Sequence, residues 1–304
     1  MDTVLEVEDL HASRRGRGVL RGLTFSVGPG QCLGVTGPNG SGKSTLLAAI
    51  AGWLPATKGQ VRVLGKPVRS GVVPLEVGLA IQEVTLYPRL TGRENLALFG
   101  AMYGLDGAEL EARVDEMLER FDLGRWAARR AFTYSAGVAR RLHLAIAFIH
   151  RPAVLLLDEP TQALDPLARQ VLLQAVAELL SQGTAVVITS MNLADLEQLA
   201  HRVLVLVEGE QRIHEETARL VHRLGSAVVE VELGEGGEDA DLDGIEGVLG
   251  WSVEELVLKA QVANAARTLP AILQRLERKG LIAGRVEVRP PSLEQLLLEL
   301  VPAP

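Results

Sequence analysis

Gly37-Pro38-Asn39-Gly40-Ser41-Gly42-Lys43-Ser44 constrains this chain more than any other stretch. A glycine, four residues, then Gly-Lys-Ser is the phosphate-loop pattern, and it stands in the context that the pattern requires. The apolar run Cys32-Leu33-Gly34-Val35 precedes it. A helical stretch from Ser44 to about Ala51, closed by Gly52, follows it. The glycines let the backbone curl so that N–H groups point inward at phosphate oxygens. The helix start adds its positive dipole end. Asn39, Gly40, Ser41, Gly42, Lys43, Ser44 and Thr45 are therefore the expected phosphate-binding set. Lys43 would reach the terminal phosphates and the Ser44 hydroxyl would ligate Mg²⁺.

Such a loop needs an acidic partner at the end of a neighbouring buried strand. Leu155-Leu156-Leu157-Asp158-Glu159 supplies one. Asp158 would hold the Mg²⁺ shell. Glu159 sits one residue on, where a carboxylate can orient or deprotonate an attacking water.

The rest of the chain fits a covered, mainly parallel sheet. Val154-Leu155-Leu156-Leu157, Ala185-Val186-Val187-Ile188-Thr189 and Val203-Leu204-Val205-Leu206-Val207 are continuous apolar runs, the pattern of strands buried on both faces. Helical spacing separates them, as in Glu109–Phe121 and Ala168–Leu180. The start alternates instead, at Val4–Val7 and Leu23–Val27, which suggests paired strands. After Ile213 the composition shifts, and Gly234–Gly247 is rich in Gly, Asp and Glu. We expect an ATPase-type domain over 1–221, with a helical part over about 85–150, and a small α+β domain over 222–304. In that second domain, Pro291 before Ser292 suggests a capped final helix with Leu293, Leu296, Leu297 and Leu300 on one face.

Composition excludes several classes. The 304 residues carry 31 Lys+Arg against 38 Asp+Glu, a net charge of −7, which argues against a nucleic-acid coat. The single Cys32 excludes a disulfide framework or a multi-Cys metal site and is expected in the core. The six histidines show no ligand spacing. No apolar run reaches the ~18 residues that a membrane span needs. The acidic start is unlike a signal peptide.

With these motifs in order, the chain resembles the ATP-binding subunits of ABC transporters over about residues 3–215. Ala80-Ile81-Gln82-Glu83 is similar to the Q-loop, and Leu164-Asp165-Pro166 to the D-loop. Leu86-Tyr87-Pro88-Arg89-Leu90-Thr91-Gly92-Arg93-Glu94-Asn95-Leu96 also resembles the family. The resemblance implies a P-loop NTPase cassette binding ATP and Mg²⁺, with Gln82 sensing the metal and the lytic water. It implies a sandwich of two cassettes, in which each ATP lies between one phosphate loop and the other chain's signature motif. It implies a separate integral membrane permease, contacted near Gln82–Leu90, and a place on the cytoplasmic face of the membrane. Val286-Glu287-Val288-Arg289-Pro290-Pro291-Ser292-Leu293-Glu294-Gln295-Leu296 is similar, more weakly, to the ending of type 2 exporter ATPases.

The chain departs from the family at three places. The signature position reads Tyr134-Ser135-Ala136-Gly137-Val138, keeping Ser135 and Gly137. If position 136 needs a positive φ, alanine there costs on the order of 1 kcal/mol. Met191, in Thr189-Ser190-Met191-Asn192, stands where the resemblance places the switch histidine. A thioether cannot donate to a γ-phosphate, and losing one transition-state donor costs roughly 10²–10³ in rate. Arg14 stands near the expected adenine-stacking aromatic, where a guanidinium plane can stack or the basic turn can simply be solvated. Slow turnover as a homodimer, or service as the divergent half of a heterodimer, follows from these departures. The alternative is an ATP-gated regulatory module with little hydrolysis and no transport role.

Overall fold

A computed structural model of the chain describes residues 3–224, 227–234, 237 and 240–289. The final helix expected from Ser292 lies outside the described residues. The chain divides into two compact units, 1–217 and 218–304.

The first unit opens on a hairpin. Strands β1 (Leu5–Arg14) and β2 (Arg17–Val27) pair antiparallel, and β4 (Ala56–Val63) adds to β1. The alternation read at Val4–Val7 puts Leu5 and Val7 into the core. β3 (Cys32–Thr36) leaves this layer and enters the central sheet, where all five of its residues are buried. Cys32 is among them, and burial pushes its thiol pKa up.

The phosphate-loop segment follows, then α1 (Lys43–Ile50). After β4 come β5 (Lys66–Pro67) and β6 (Val77–Ala80). A helical section is made of α2 (Gly92–Met102), α3 (Gly107–Arg120) and α4 (Ala136–Phe148). Thr91 caps α2 through a capping box with Glu94, which satisfies two end donors at once. The fully buried Asn95 bonds both the N–H and the C=O of Tyr87. That pins the loop between β6 and α2.

The chain then alternates through β7 (Val154–Asp158), α5 (Pro166–Ser181), β8 (Ala185–Thr189), α6 (Leu193–Leu199), β9 (Arg202–Val207) and β10 (Glu210–Glu216). The central sheet runs β10-β9-β3-β8-β7-β6. All its pairs are parallel except β10 with β9. This is the covered parallel sheet that the apolar runs predict, and it places the C-terminal ends of β3, β7 and β8 side by side.

α7 (Thr217–Leu224) follows. The second unit is a sheet of β11 (Ala227–Leu233), β12 (Val248–Glu254), β13 (Val257–Val262) and β14 (Ala283–Arg289) with α8 (Ala265–Arg278). Val229, Val231, Leu258, Ala260, Ile272 and Leu276 form its core.

Candidate active site

The loop between β3 and α1 is built by backbone sterics. Gly37 has φ +144°, and a Cβ there would lie 2.0 Å from the Leu206 carbonyl oxygen of β9. Only glycine fits. Gly42 sits at the N-cap of α1 in the left-handed region, and no side chain caps the helix. The first-turn N–H groups therefore open toward the loop with the positive end of the helix dipole. Lys43 is 8% exposed. Its Nζ donates to the Gly37 carbonyl at 2.7 Å and the Pro38 carbonyl at 3.2 Å. Burial lowers its pKa, and the charges of Glu159 and Asp158 oppose that shift. The Ser41 hydroxyl is buried with no partner among the described residues. An uncapped helix start and a cation held on loop carbonyls together fit a phosphate group.

The acidic side is assembled at the ends of β7 and β8. Asp158 is buried, and its Oδ1 accepts a hydrogen bond from Thr189 Oγ1 at 2.6 Å. The same Thr189 oxygen accepts the Glu159 backbone N–H at 3.0 Å. Glu159 has φ +45°, a conformation that costs a non-glycine residue free energy and points to a positioned side chain. Its Oε2 accepts the Met191 backbone N–H at 3.1 Å. Burial raises the Glu159 pKa, against the lowering effects of that hydrogen bond and of Lys43. Lys43 Nζ also donates to Met191 Sδ at 3.6 Å.

These groups face one cavity of about 640 Å³. Among the predicted residues, Arg14, Asn39, Gly40, Gly42, Lys43, Ser44, Thr45, Gln82, Asp158 and Glu159 line it. Ser41 is buried and does not line the cavity, and its carbonyl accepts from Gly209 N at 2.9 Å. Ser44 and Asp158 offer hydroxyl and carboxylate oxygens, the hard donors that suit Mg²⁺. Gln82 Nε2 is bonded to Gln162 Oε1 at 2.9 Å.

Ser135 and Gly137 do not line this cavity. They stand at the start of α4, where Ser135 is the N-cap. Ala136 is the first residue of that helix and is not among the positive-φ residues. The strain that alanine would meet at a positive φ therefore does not arise. A Cβ on Gly137 would meet nothing nearer than the Ala163 carbonyl at 3.9 Å.

Nothing in the spacing of the sequence singles out Arg140. It is 4% exposed. Its guanidinium donates to the carbonyls of Ile81 at 2.6 Å, Gln82 at 3.0 Å, Asp158 at 2.9 Å and Glu159 at 2.9 Å. It thus ties α4 to the segments that carry Gln82, Asp158 and Glu159. Thr189 and Gln162 are likewise unmarked in the sequence.

Comparison with known proteins identifies the family. The ABC transporter family model matches residues 20–162. The chain is 35% identical to a daunorubicin resistance ATP-binding protein of Streptomyces coeruleorubidus, covering 98% of this chain and 96% of that one. The chain belongs to the ATP-binding subunits of ABC transporters. It is also 31% identical to a linearmycin resistance ATP-binding protein of Bacillus subtilis, over 98% of each chain. A solved ATP-binding subunit of an ABC transporter superposes with a TM-score of 0.69 at 29% identity, covering 73% of this chain and 94% of that one. A dimeric ATP-binding cassette in a post-hydrolysis state with ADP and Pi gives 0.64 at 25% identity, covering 70% and 98%. As an ABC ATPase the chain binds and hydrolyses ATP.

Proposed function

We propose that this ABC subunit closes as a dimer around ATP·Mg²⁺ and drives a separate integral membrane permease, as an exporter, with slow or asymmetric hydrolysis. The observation that carries the dimer is the division of the site. One cavity gathers the phosphate loop and the carboxylates, while Ser135 and Gly137 stand elsewhere at a helix start. Among the described residues only the Ala163 carbonyl, at 3.9 Å, comes near a Cβ on Gly137, so a close-approach glycine there suits a partner's nucleotide. The second cassette is another copy or a related ABC ATPase.

Within the site, the phosphate-loop N–H groups and Lys43 bind the phosphates. Ser44, Asp158 and Gln82 would hold Mg²⁺, which supplies charge neutralisation at the terminal phosphate. Glu159 takes the proton of the attacking water, its raised pKa making it a stronger base. Arg14, on the cavity wall, offers a planar cation to the base. Met191 stands where the switch histidine is expected, in contact with Lys43, and its sulfur donates nothing to the reacting phosphate.

Several relatives are named for export, among them a Nod factor export ATP-binding protein of Paraburkholderia xenovorans at 36% identity over 76% of this chain. Among the described residues no helix is long and apolar enough to cross a membrane, which suits a subunit docked on the cytoplasmic face. A groove of about 290 Å³ next to Gln82–Leu90, lined by Trp53, Leu75, Ile81, Phe99 and His143 among others, supports contact with a permease there. Trp53 is 50% exposed in it, so this tryptophan is only partly used in packing. We assign 1–221 to the ATPase cassette and 222–304 to an accessory domain that stabilises the dimer. No nucleic-acid partner is proposed.

Recovery of the chain from its native membrane, followed by identification of what accompanies it, tests this reading. An integral membrane partner and low ATPase of the purified chain are expected. Fast ATPase of the isolated chain would end the slow-hydrolysis part. A chain that returns with no membrane protein belongs to the second reading, the ATP-gated regulatory module, which Met191 at the switch position favours.

A further inference from the structure

We propose that Met191 is a site of reversible oxidation by hydrogen peroxide or a related hydroperoxide, and that its sulfoxide shuts the phosphate end of the cavity. This rests on the reading of Lys43 as the phosphate-binding cation. Met191 is 49% exposed and lines the cavity. Its backbone N–H is fixed on Glu159 Oε2 at 3.1 Å. Its sulfur lies 3.6 Å from Lys43 Nζ.

An ammonium has three donors. Here two point at the Gly37 and Pro38 carbonyls and the third at the Met191 sulfur. A thioether is a weak acceptor, so that third bond yields readily to a phosphate oxygen. A sulfoxide oxygen is a strong, polar acceptor on the same atom. Bonded to a cation it forms a charge-assisted hydrogen bond, about twice the strength of a neutral one. It would also add volume where the terminal phosphates enter.

The chemistry balances. A sulfur lone pair attacks one peroxide oxygen, an S–O bond forms, and the O–O bond breaks. The thioether is oxidised by two electrons, and the peroxide is reduced to water after the leaving hydroxide takes up a proton. Methionine sulfoxide reductases return the thioether.

The sequence has four methionines, two of which serve as internal comparisons. Met117 is 1% exposed and shielded, and Met102 is 60% exposed but outside the ATP cavity.

The test treats the purified full chain with hydrogen peroxide, with and without saturating ATP·Mg²⁺. Peptide mass mapping follows oxidation at residues 102, 117 and 191. Binding of a fluorescent ATP analogue is measured before treatment, after it, and after sulfoxide reductase. Oxidation at Met191, slowed several-fold by ATP while Met102 is unaffected, is expected. Nucleotide affinity should fall by about tenfold or more, the scale of one charge-assisted hydrogen bond, and should return with the reductase. Met191→Leu should show no peroxide-dependent change, whatever its starting affinity. Oxidation of Met191 no faster than Met117 overturns the proposal. So does complete oxidation with affinity unchanged, or an equal loss in Met191→Leu. Untreated protein that fails to bind nucleotide would overturn the ATP-site reading itself, a separate result.

Discussion

Arg140 donates to the backbone carbonyl of Asp158 at 2.9 Å. The two residues lie 18 positions apart in sequence, one on α4, which Ser135 caps, and the other at the end of a central strand. The same guanidinium holds the carbonyls of Ile81, Gln82 and Glu159. Movement of α4 therefore reaches Gln82 and Glu159 through one rigid planar group.

Arg140→Met should lower kcat by roughly 10–100-fold, because Glu159 and Gln82 lose their common support. Nucleotide affinity should change little, since the phosphate loop is untouched. Stability should fall as well, by about 1–3 kcal/mol for each carbonyl left without a donor. Arg140→Lys should recover part of kcat, because an ammonium cannot span both pairs of carbonyls. Steady-state kinetics, nucleotide titration and thermal melting, read together, separate this positioning role from general loss of fold.

Met191→His should raise ATP turnover by at least ~10-fold, since one well-placed donor is worth about 10²–10³ in such sites. Phosphate release from the purified chain measures it. Unchanged turnover would show that some other step limits the rate.

Gln162 should govern the metal rather than the nucleotide. Gln82 gives its amide donor to Gln162 Oε1, which leaves the Gln82 carbonyl oxygen as the end that can face a cation. Gln162→Leu frees that amide to rotate, and the Mg²⁺ needed for half-maximal nucleotide binding should rise several-fold. Gln162→Glu keeps an acceptor at the same place and should stay near the parent. Binding titrations in EDTA should be the same for all three chains.

Acid should destabilise the fold in a defined window. Burial, with Arg140 nearby, lowers the His143 pKa from 6.5 to about 4, and its Nδ1 accepts the Thr85 N–H at 3.0 Å. The folded protein thus binds fewer protons than the unfolded chain. The stabilisation is present above pH 6.5 and is lost as pH falls toward about 4. A shift of this size corresponds to on the order of 3 kcal/mol. Melting temperatures between pH 7 and 4 should fall less steeply for His143→Asn, whose amide oxygen can accept from Thr85 N without titrating.

Glu159→Gln should retain nucleotide binding and lose hydrolysis. In the parent, kcat should rise with pH through the raised Glu159 pKa, as the base becomes deprotonated. Single-turnover assays across the acid range, on a chain whose folding is checked at each pH, should show that limb vanish in the variant.

The parts of this site that are legible in the sequence are those where chemistry demands neighbouring residues. The phosphate loop needs its glycines and Lys43 in one short run, and Asp158-Glu159 ends an unbroken apolar strand. Arg140 was not legible, because its partners are carbonyls, which every residue has. Its link to Ile81 spans 59 positions. The central sheet was readable from strands buried on both faces. β12 was not, because Gly250 interrupts its alternation and all of its residues are exposed or half-buried. The helix boundaries shifted by a residue or two, as at α1, which begins at Lys43 rather than Ser44. There the backbone turns helical before the side-chain pattern does.

Thr189 has a single hydroxyl hydrogen, and it is committed to Asp158. The same oxygen receives the Glu159 N–H, so polarity along this short relay runs one way, from the peptide of one acid to the carboxylate of the other. Valine matches threonine in shape and would fill the same space, but it would sever the relay. Asp158 would then sit buried without its nearest donor, and the Glu159 peptide would lose one of its two acceptors on residue 189. A methyl in place of a hydroxyl would thus turn two coordinated acids into two independent ones.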